Sequence, residues 1–344
     1  MGLLEDRHGR IAHDLRLSLI DKCNLRCTYC MPAEGLDWLK KNEMLTADEA
    51  VRIADIGVRL LGIREVRFTG GEPLVRRDLE HIIGSLHQAH PNLPMSITTN
   101  GIGLEKRIDD LVAAGLQRIN VSLDTICPET FAKMTRRQRL PQVLRGLEGA
   151  KEAGLHLVKI NAVLMNGIND DQAAELLEWC LDQGFQLRFI EQMPLDADHG
   201  WTRDGMVTAE RMRELLSEKF TLAPHAEPRG SAPAQLWDVF PGASDPSSSH
   251  PLGQVGIIAS VTEPFCQSCS RTRITADGKI RSCLFSHEET DLLTALRSDA
   301  SDEEIAEIWQ AAMWVKPKAH GQDTVGLDTP EFVQPDRSMS AIGG

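Results

Sequence analysis

The sequence is short of several things, and each shortage excludes a class of protein. No apolar run approaches the roughly 18 residues that span a bilayer, so no membrane-crossing helix is expected. The first twenty residues, MGLLEDRHGRIAHDLRLSLI, mix charges throughout and lack the apolar core and small-residue cleavage site of a secretory signal. A cytoplasmic location is the expectation. Positive charge is in deficit, with 37 Lys and Arg against 50 Asp and Glu and a net charge of −13. That balance argues against a nucleic-acid or anionic-membrane partner, because phosphate surfaces are bound by clustered Lys and Arg. Aromatic residues make up only 5%, and Tyr29 is the single tyrosine. No G-x4-G-K-S/T loop is present to cradle the phosphates of a nucleotide. The most specific absence is a fourth cysteine. In DKCNLRCTYCMP, Cys23, Cys27 and Cys30 read C-x3-C-x2-C, and the next cysteine is Cys127.

What is present describes a soluble globular chain of 344 residues, 42% hydrophobic and 25% charged. From residue 14 to 194, short β-type runs alternate with helical stretches. The runs lie at 14–20, 65–70, 95–101, 118–124, 156–165 and 186–194. Most are rich in β-branched or bulky apolar residues and end at Gly, Asn, Asp or Pro. The stretch TADEAVRIADIGVRLLG predicts a helix with Thr46 as N-cap, Glu49 closing a capping box and Gly62 as the stop. NDDQAAELLEWCLDQG repeats the design, with Asn169 in front and Gly184 behind. Six β-then-α units imply parallel strands with right-handed crossovers, either a doubly wound sheet or part of a (βα) barrel. Both place functional groups at the carboxyl ends of strands. There stand the cysteine loop, TGGEP, TTNG, SLD and MP.

After residue 194 the rhythm changes, and the chain is divided into 1–200 and a C-terminal region, 201–344. A helix is predicted over 208–219, then β-type runs near 235–240 and 254–260, separated by a mobile surface loop at 241–253. RTRITADGKIRSCLF (271–285) reads as a hairpin turning at Asp277-Gly278. Two closing helices are predicted near 289–297 and 302–314. The tail DRSMSAIGG lacks the periodicity of a packed element.

The C-terminal region repeats the cysteine arithmetic, with Cys266 and Cys269 in FCQSC and Cys283 across the hairpin. A C-x2-C turn is a common zinc half-site, but structural zinc takes four protein ligands. His287 is the nearest residue that could complete such a site. An iron–sulfur cubane needs one external ligand per iron, so three cysteines leave one iron open to a small molecule. The spacing favours a cluster at the first triplet and leaves cluster and zinc both open at the second. Cys180, on the apolar side of its helix, reads as a buried structural thiol, and Cys127 as packing.

C-x3-C-x2-C after the first strand, with an aromatic before the last cysteine and FTGGEP after the second strand, resembles the radical S-adenosylmethionine (SAM) enzymes. RLSLIDKCNLRCTYCMP, VRFTGGEPLVRRD, TTNG, NVSLDT, KINAVLMNGIND, LRFIEQMP, the second triplet with SRTR, and the terminal GG together resemble the GTP 3′,8-cyclase family. The likeness covers residues 13–344. It implies a partial (βα)6 TIM-type radical SAM barrel, with a C-terminal extension carrying a second iron–sulfur cluster. It also implies two 4Fe–4S clusters, held by Cys23, Cys27 and Cys30 and by Cys266, Cys269 and Cys283. SAM would bind at Tyr29, Gly71, Ser122 and Met193. The triphosphate of GTP would meet Arg16, Arg67, Thr98 and Lys159. Arg271, Thr272 and Arg273 would lie close to the substrate, whose guanine meets the second cluster's open iron. Gly343 and Gly344 would reach into the active site. The reaction so implied takes hydrogen from C3′ of GTP and joins C3′ to C8, an early step of molybdenum cofactor biosynthesis. A reductase would supply electrons, a cyclic pyranopterin monophosphate synthase would follow, and a homodimer is left open. The runner-up is a radical SAM peptide-modifying enzyme with an auxiliary cluster. A zinc-stabilised binding module is the reading from another class.

Overall fold

The structure, a computed structural model, describes residues 2–155, 157–320, 327 and 332–343. After a small hairpin of β1 (Leu4–Glu5) and β2 (Ile11–Ala12), the chain lays down six parallel strands. These are β3 (Asp14–Ser18), β4 (Glu65–Thr69), β5 (Met95–Thr99), β6 (Arg118–Ser122), β7 (Val158–Leu164) and β8 (Gln186–Glu191). Each falls within one of the six predicted runs. They pair strictly in chain order through parallel ladders. A doubly wound sheet requires the order to reverse somewhere, and here it never does. Every crossover therefore turns the same way, and the helices gather on one face as in a partial (βα)6 barrel. The helices between these strands are α1 (Ala47–Leu60), α2 (Leu79–Ala89), α3 (Ile108–Ala113), α4 (Pro128–Thr135), α5 (Leu140–Glu152) and α6 (Ala173–Gln183).

The strands alternate by the pleat. Leu15 and Leu17, Val66 and Phe68, Met95 and Ile97, Ile119 and Val121, Ile160 and Ala162, and Leu187 and Phe189 are all buried in one apolar core. The intervening residues face the lumen and are mostly polar, Arg16, Arg67, Thr98, Ser122, Asn161 and Arg188, with Val163 and Ile190 beside them. Period-2 patterning thus separates the core from the site within every strand. The capping box of α1 forms as expected, with Thr46 and Glu49 each accepting from the other's main-chain N–H.

The C-terminal region joins the same sheet at both edges. After α7 (Ala209–Ser217), strands β9 (Phe220–Pro224), β10 (Gln235–Pro241) and β11 (Gly253–Ile258) add beyond β8, with β11 parallel to it. On the other side β12 (Arg271–Ile274) runs parallel to β3, followed by β13 (Lys279–Arg281) and β14 (Thr290–Asp291). The described residues thus make a twelve-stranded sheet whose barrel edges are both paired. Helices α8 (Leu293–Leu296), α9 (Asp302–Trp314) and α10 (Met339–Ile342) complete the fold. None of the described helices is long and apolar enough to cross a membrane.

Four local expectations change. The helix predicted near 289–297 shrinks to α8, because Thr290 pairs with Ile280 in β14 and Asp291 accepts from Leu293 N–H to start the turn late. Strand β9 is additional. Asn169 caps nothing: it is fully buried, accepts from Met165 N–H and donates to the carbonyls of Asp124 and Val163. The tail is packed. Met339 N–H donates to Leu195 O at 3.1 Å, and Ile342 is buried with Leu195, Met206, Val261 and Phe285.

Trp309 of α9 ties the C-terminal helix to the sheet. It is wholly buried against α1 near Gly57, and its indole N–H donates to Thr272 Oγ1 at 2.9 Å. Trp309→Ala should lower stability by about 3–5 kcal/mol. Trp309→Phe keeps most of the volume but orphans the Thr272 hydroxyl, and should cost about 1–3 kcal/mol. Chemical denaturation of the two variants checks the order, and a Trp309→Phe variant as stable as the parent would remove the hydrogen bond from the account.

Candidate active site

A cavity of about 310 Å³ opens at the carboxyl ends of the parallel strands. All six predicted cluster cysteines line it, Cys23, Cys27 and Cys30 from the loop after β3, and Cys266, Cys269 and Cys283 around β12 and β13. Each is a free thiol. Among the described residues no three His, Cys, Asp or Glu side chains are arranged to hold one metal ion, whereas a cubane takes one thiolate at each of several separate irons. His287 does not complete the second triplet. It is exposed, and its Nε2 lies 3.0 Å from the carbonyl of Val333.

The N-terminal triplet sits among acids and amides. Burial, and then Glu72, push the Cys23 thiol up to about 12, while burial raises Cys30 to about 11. Cys27 is raised well above the usual thiol range by burial and by Asp124. Thiolate in this loop therefore needs a compensating positive charge, which cluster iron would supply. Glu72 of the TGGEP turn accepts from Thr99 Oγ1 and Asn100 N–H, each at 2.6 Å, and from Leu74 N–H at 2.9 Å. Burial nonetheless raises its carboxyl to about 7. Tyr29 donates its hydroxyl to Asp124 at 2.8 Å, and Asp124 also accepts from Val163 N–H at 2.8 Å. Tyr29, Gly71, Ser122 and Met193 all line the cavity. At Gly71 a Cβ would stand 2.2 Å from Asp21 O and 2.5 Å from Lys22 O, so only glycine lets this turn touch the cysteine loop.

Opposite them the wall is cationic. Register places Arg273 beside Arg16 and Arg16 beside Arg67, across three adjacent parallel strands. Arg271, Arg188 and Thr98 line the same space. Their carboxylate neighbour is Asp14, whose Oδ2 is 3.8 Å from Arg16. Burial pushes Asp14 up, but Arg16, Arg67, Arg271 and Arg273 together hold it below its ordinary value. Burial, then Arg67, drive Arg16 well below the arginine range. Burial and Arg67 lower Arg188 to about 9, and burial and Arg271 lower Arg273 to about 10. Four buried nitrogens of this group, Nε of Arg16, Arg67 and Arg188 and Nη2 of Arg271, have no hydrogen-bond partner among the described residues. Buried cations with spare donors describe a binding site for a polyanion.

Two predicted contacts stand elsewhere. Thr272 points through the sheet to Trp309 and does not line the cavity, because alternation along β12 turns Arg271 and Arg273 inward and Thr272 outward. Lys159 also does not line the cavity. It occupies the lumen side of β7 below Asn161, where burial, Arg188, Arg118 and Arg67 lower it to about 8. Gly343 lies at φ +82°, and a Cβ there would come 2.5 Å from Thr69 Oγ1. Its carbonyl accepts from Arg273 Nη1 at 3.3 Å. Gly344 lies outside the described residues. Sequence reasoning missed Arg188, although its place in LRFIEQMP, on the side of the pleat opposite Leu187 and Phe189, was available as a signal. It also missed Phe265, whose ring lies 4.8 Å from the Arg271 guanidinium beside Cys266.

The Radical SAM superfamily model matches residues 17–180, and the Molybdenum Cofactor Synthesis C model matches residues 185–322. A GTP 3′,8-cyclase of Paenarthrobacter nicotinovorans is 63% identical over 99% of this chain and 97% of its own length. One from Streptomyces coelicolor is 57% identical over 99% and 96%. Among solved structures, Streptococcus suis SuiB bound to precursor peptide SuiA superposes with a TM-score of 0.57 at 17% identity. That match covers 85% of this chain and 66% of SuiB. At such identity the likeness concerns the fold.

The Gly71 geometry sets an expected outcome. Gly71→Ala must displace the cysteine loop or its own turn, at about 1–3 kcal/mol for an overpacked contact. SAM affinity of the reconstituted protein, by equilibrium dialysis, should fall roughly five- to a hundredfold by the same energy. Unchanged affinity would mean that the turn yields freely.

Proposed function

The chain belongs to the GTP 3′,8-cyclase family of radical SAM enzymes, and from that premise we propose how its cavity divides between cofactor and substrate. It converts GTP to (8S)-3′,8-cyclo-7,8-dihydroguanosine 5′-triphosphate, an early step of molybdenum cofactor biosynthesis, and uses SAM with iron–sulfur chemistry. The peptide-modifying alternative is not favoured, since its support is fold likeness at 17% identity against full-length relatives at 63% and 57%.

Cys23, Cys27 and Cys30 hold the first 4Fe–4S cluster in this reading, and Cys266, Cys269 and Cys283 hold a second. When bound, the first cluster and SAM supply a 5′-deoxyadenosyl radical able to take hydrogen from C3′ of GTP. The protein's work is positioning and exclusion. Tyr29, Gly71, Ser122 and Met193 enclose SAM, and Asp124 fixes the Tyr29 ring through the hydroxyl. Arg16, Arg67, Arg188 and Thr98 take the triphosphate, with Lys159 adding charge from below. Arg271 and Arg273 hold the base side near the second triplet. Gly343 steadies Arg273 through its carbonyl. The observation that carries the proposal is the group of five lumen arginines, four of which act on the neighbouring Asp14, with four buried nitrogens unpartnered among the described residues. An electron-donating reductase, a downstream cyclic pyranopterin monophosphate synthase, a cytoplasmic location, the division at residue 200 and a homodimer complete the proposal.

Anaerobic incubation of the reconstituted enzyme with SAM, a reductant and GTP should yield the cyclised nucleotide by mass analysis. Arg188→Ala should weaken GTP binding by about 1.5–3 kcal/mol, one to two decades, while leaving SAM affinity near wild type. Unaltered GTP affinity in that variant would return Arg188 to a structural role.

Lys159 gives a pH dependence with a definite sign. Its pKa near 8 in the free protein rises when phosphate approaches, so binding takes up a proton once the pH exceeds about 8. GTP affinity should therefore fall as pH climbs from about 8 toward 9.5, by at most tenfold per unit. Lys159→Arg should move the onset of the fall to higher pH, toward the range of Arg188 at about 9. A wild-type profile that is already flat would place Lys159 outside the phosphate field.

A further inference from the structure

The segment 316–320 wraps the C-terminal triplet, and nothing in the reaction described above uses it. Lys316 is 3% exposed. Its ammonium donates to the carbonyl of Arg271 at 2.7 Å and to Cys269 Sγ at 3.4 Å. None of the ion pairs found among the described residues joins it to a carboxylate. A buried ammonium without a counter-charge is costly, and a cluster-bound Cys269 sulfur at 3.4 Å would supply that charge. Arg10 pins the same segment. It donates to the carbonyls of Pro317 and Lys318 and, from the same guanidinium, to the carbonyl of Cys266, at 2.7–2.8 Å. His320 N–H reaches Cys266, while the His320 ring bonds Ser260 O at 2.9 Å. Two of the three cysteines thus receive hydrogen bonds from one short strap, and one of those bonds is charged.

We propose that Lys316 is the charge partner of the C-terminal cluster, its buried ammonium holding the Cys269 thiolate and raising that cluster's reduction potential. The inference rests on the reading that Cys266, Cys269 and Cys283 bind an iron–sulfur cluster. A positive charge beside a cluster sulfur favours the reduced, more negative state, and hydrogen bonds to sulfur act in the same direction. By holding the Arg271 carbonyl as well, Lys316 also fixes the strand that points Arg271 and Arg273 at the substrate. It is a positioning residue, acting through Cys269 and Arg271.

The test uses full-length protein reconstituted with iron and sulfide, titrated reductively and followed by electron paramagnetic resonance. Lys316→Met keeps the length and removes the charge, and Lys316→Arg keeps the charge. The expected result is a shift of one of the two cluster signals to more negative potential in Lys316→Met and a near-wild-type value in Lys316→Arg. SAM cleavage should be unchanged in both. An unshifted potential in Lys316→Met with both clusters present overturns the proposal. If Lys316→Met loses the second cluster, retention by Lys316→Arg supports the charge requirement, and loss by both variants overturns it in favour of packing. Failure of the underlying reading looks different: wild-type protein would carry one cluster, and Cys269→Ala would lose no iron.

Discussion

The lumen of this barrel buries more positive charge than its own carboxylates can answer, and much of the rest of the fold follows from that constraint. Arg16, Arg67, Arg188, Arg271 and Arg273 project into one space, and four of them hold down the neighbouring Asp14. Such a group is tolerable only if water or an anion completes it. The fold keeps the guanidiniums there by placing apolar residues at the intervening positions of each strand, which the helices then cover. Turning Arg16 outward would shift the pleat by one residue and drive Leu15 and Leu17 into the cavity. Charge in the lumen and core beneath the helices are thus two sides of one pattern.

The C-terminal region completes this wall. Strand β12 pairs parallel with β3, and that register sets Arg273 beside Arg16 and Arg271 beside Asp14. Glu191, at the end of β8, does the corresponding work on the other edge. Its carboxylate accepts from the main-chain N–H groups of Ala209, Val261 and Thr262, locking the exit of β11 and the start of α7 to the barrel. The tail then bridges the halves. Arg337 pairs with Asp277 and Glu289 of the C-terminal hairpin, while Met339 and Gly343 reach residues of the barrel. Cavity-lining groups from distant parts of the sequence meet because strands pair.

Much of this was legible in the sequence because each strand carries its own period. The six runs, the capping box at Thr46, the hairpin at Asp277-Gly278 and both cysteine triplets are local signals, and all appear where the pattern puts them. What was not legible is pairing over long distances. Strand order decides between a doubly wound sheet and a barrel, and order is a property of which edges meet. Thr272 illustrates the point: R-T-R next to a cluster cysteine invites three contacts, but a strand can turn only alternate residues inward. Asn169 looked like a cap because Asn caps helices, yet its amide is spent on the β7 exit and on Asp124. The tail lacked periodicity because four helical residues and two glycines are too few to show any, although Ile342 is as buried as the barrel core.

In the proposed arrangement two ligands share one cavity, and the charges around the two triplets differ in sign in a way that would sort them. Glu72 and Asp124 stand by the N-terminal triplet, and burial pushes both carboxyls up, to about 7 and about 6. A carboxylate in that state gains from a neighbouring cation. SAM brings one in its sulfonium. Lys316, Arg271 and Arg273 stand by the C-terminal triplet, where Cys269 is drawn down to about 6 against the pull of burial, chiefly by Lys316 and Arg271. GTP brings the polyanion that this half lacks. Exchanging the two ligands would place triphosphate against carboxylates and sulfonium against guanidiniums, each pair repulsive at low dielectric. The same field that fills the site correctly therefore excludes the reversed arrangement.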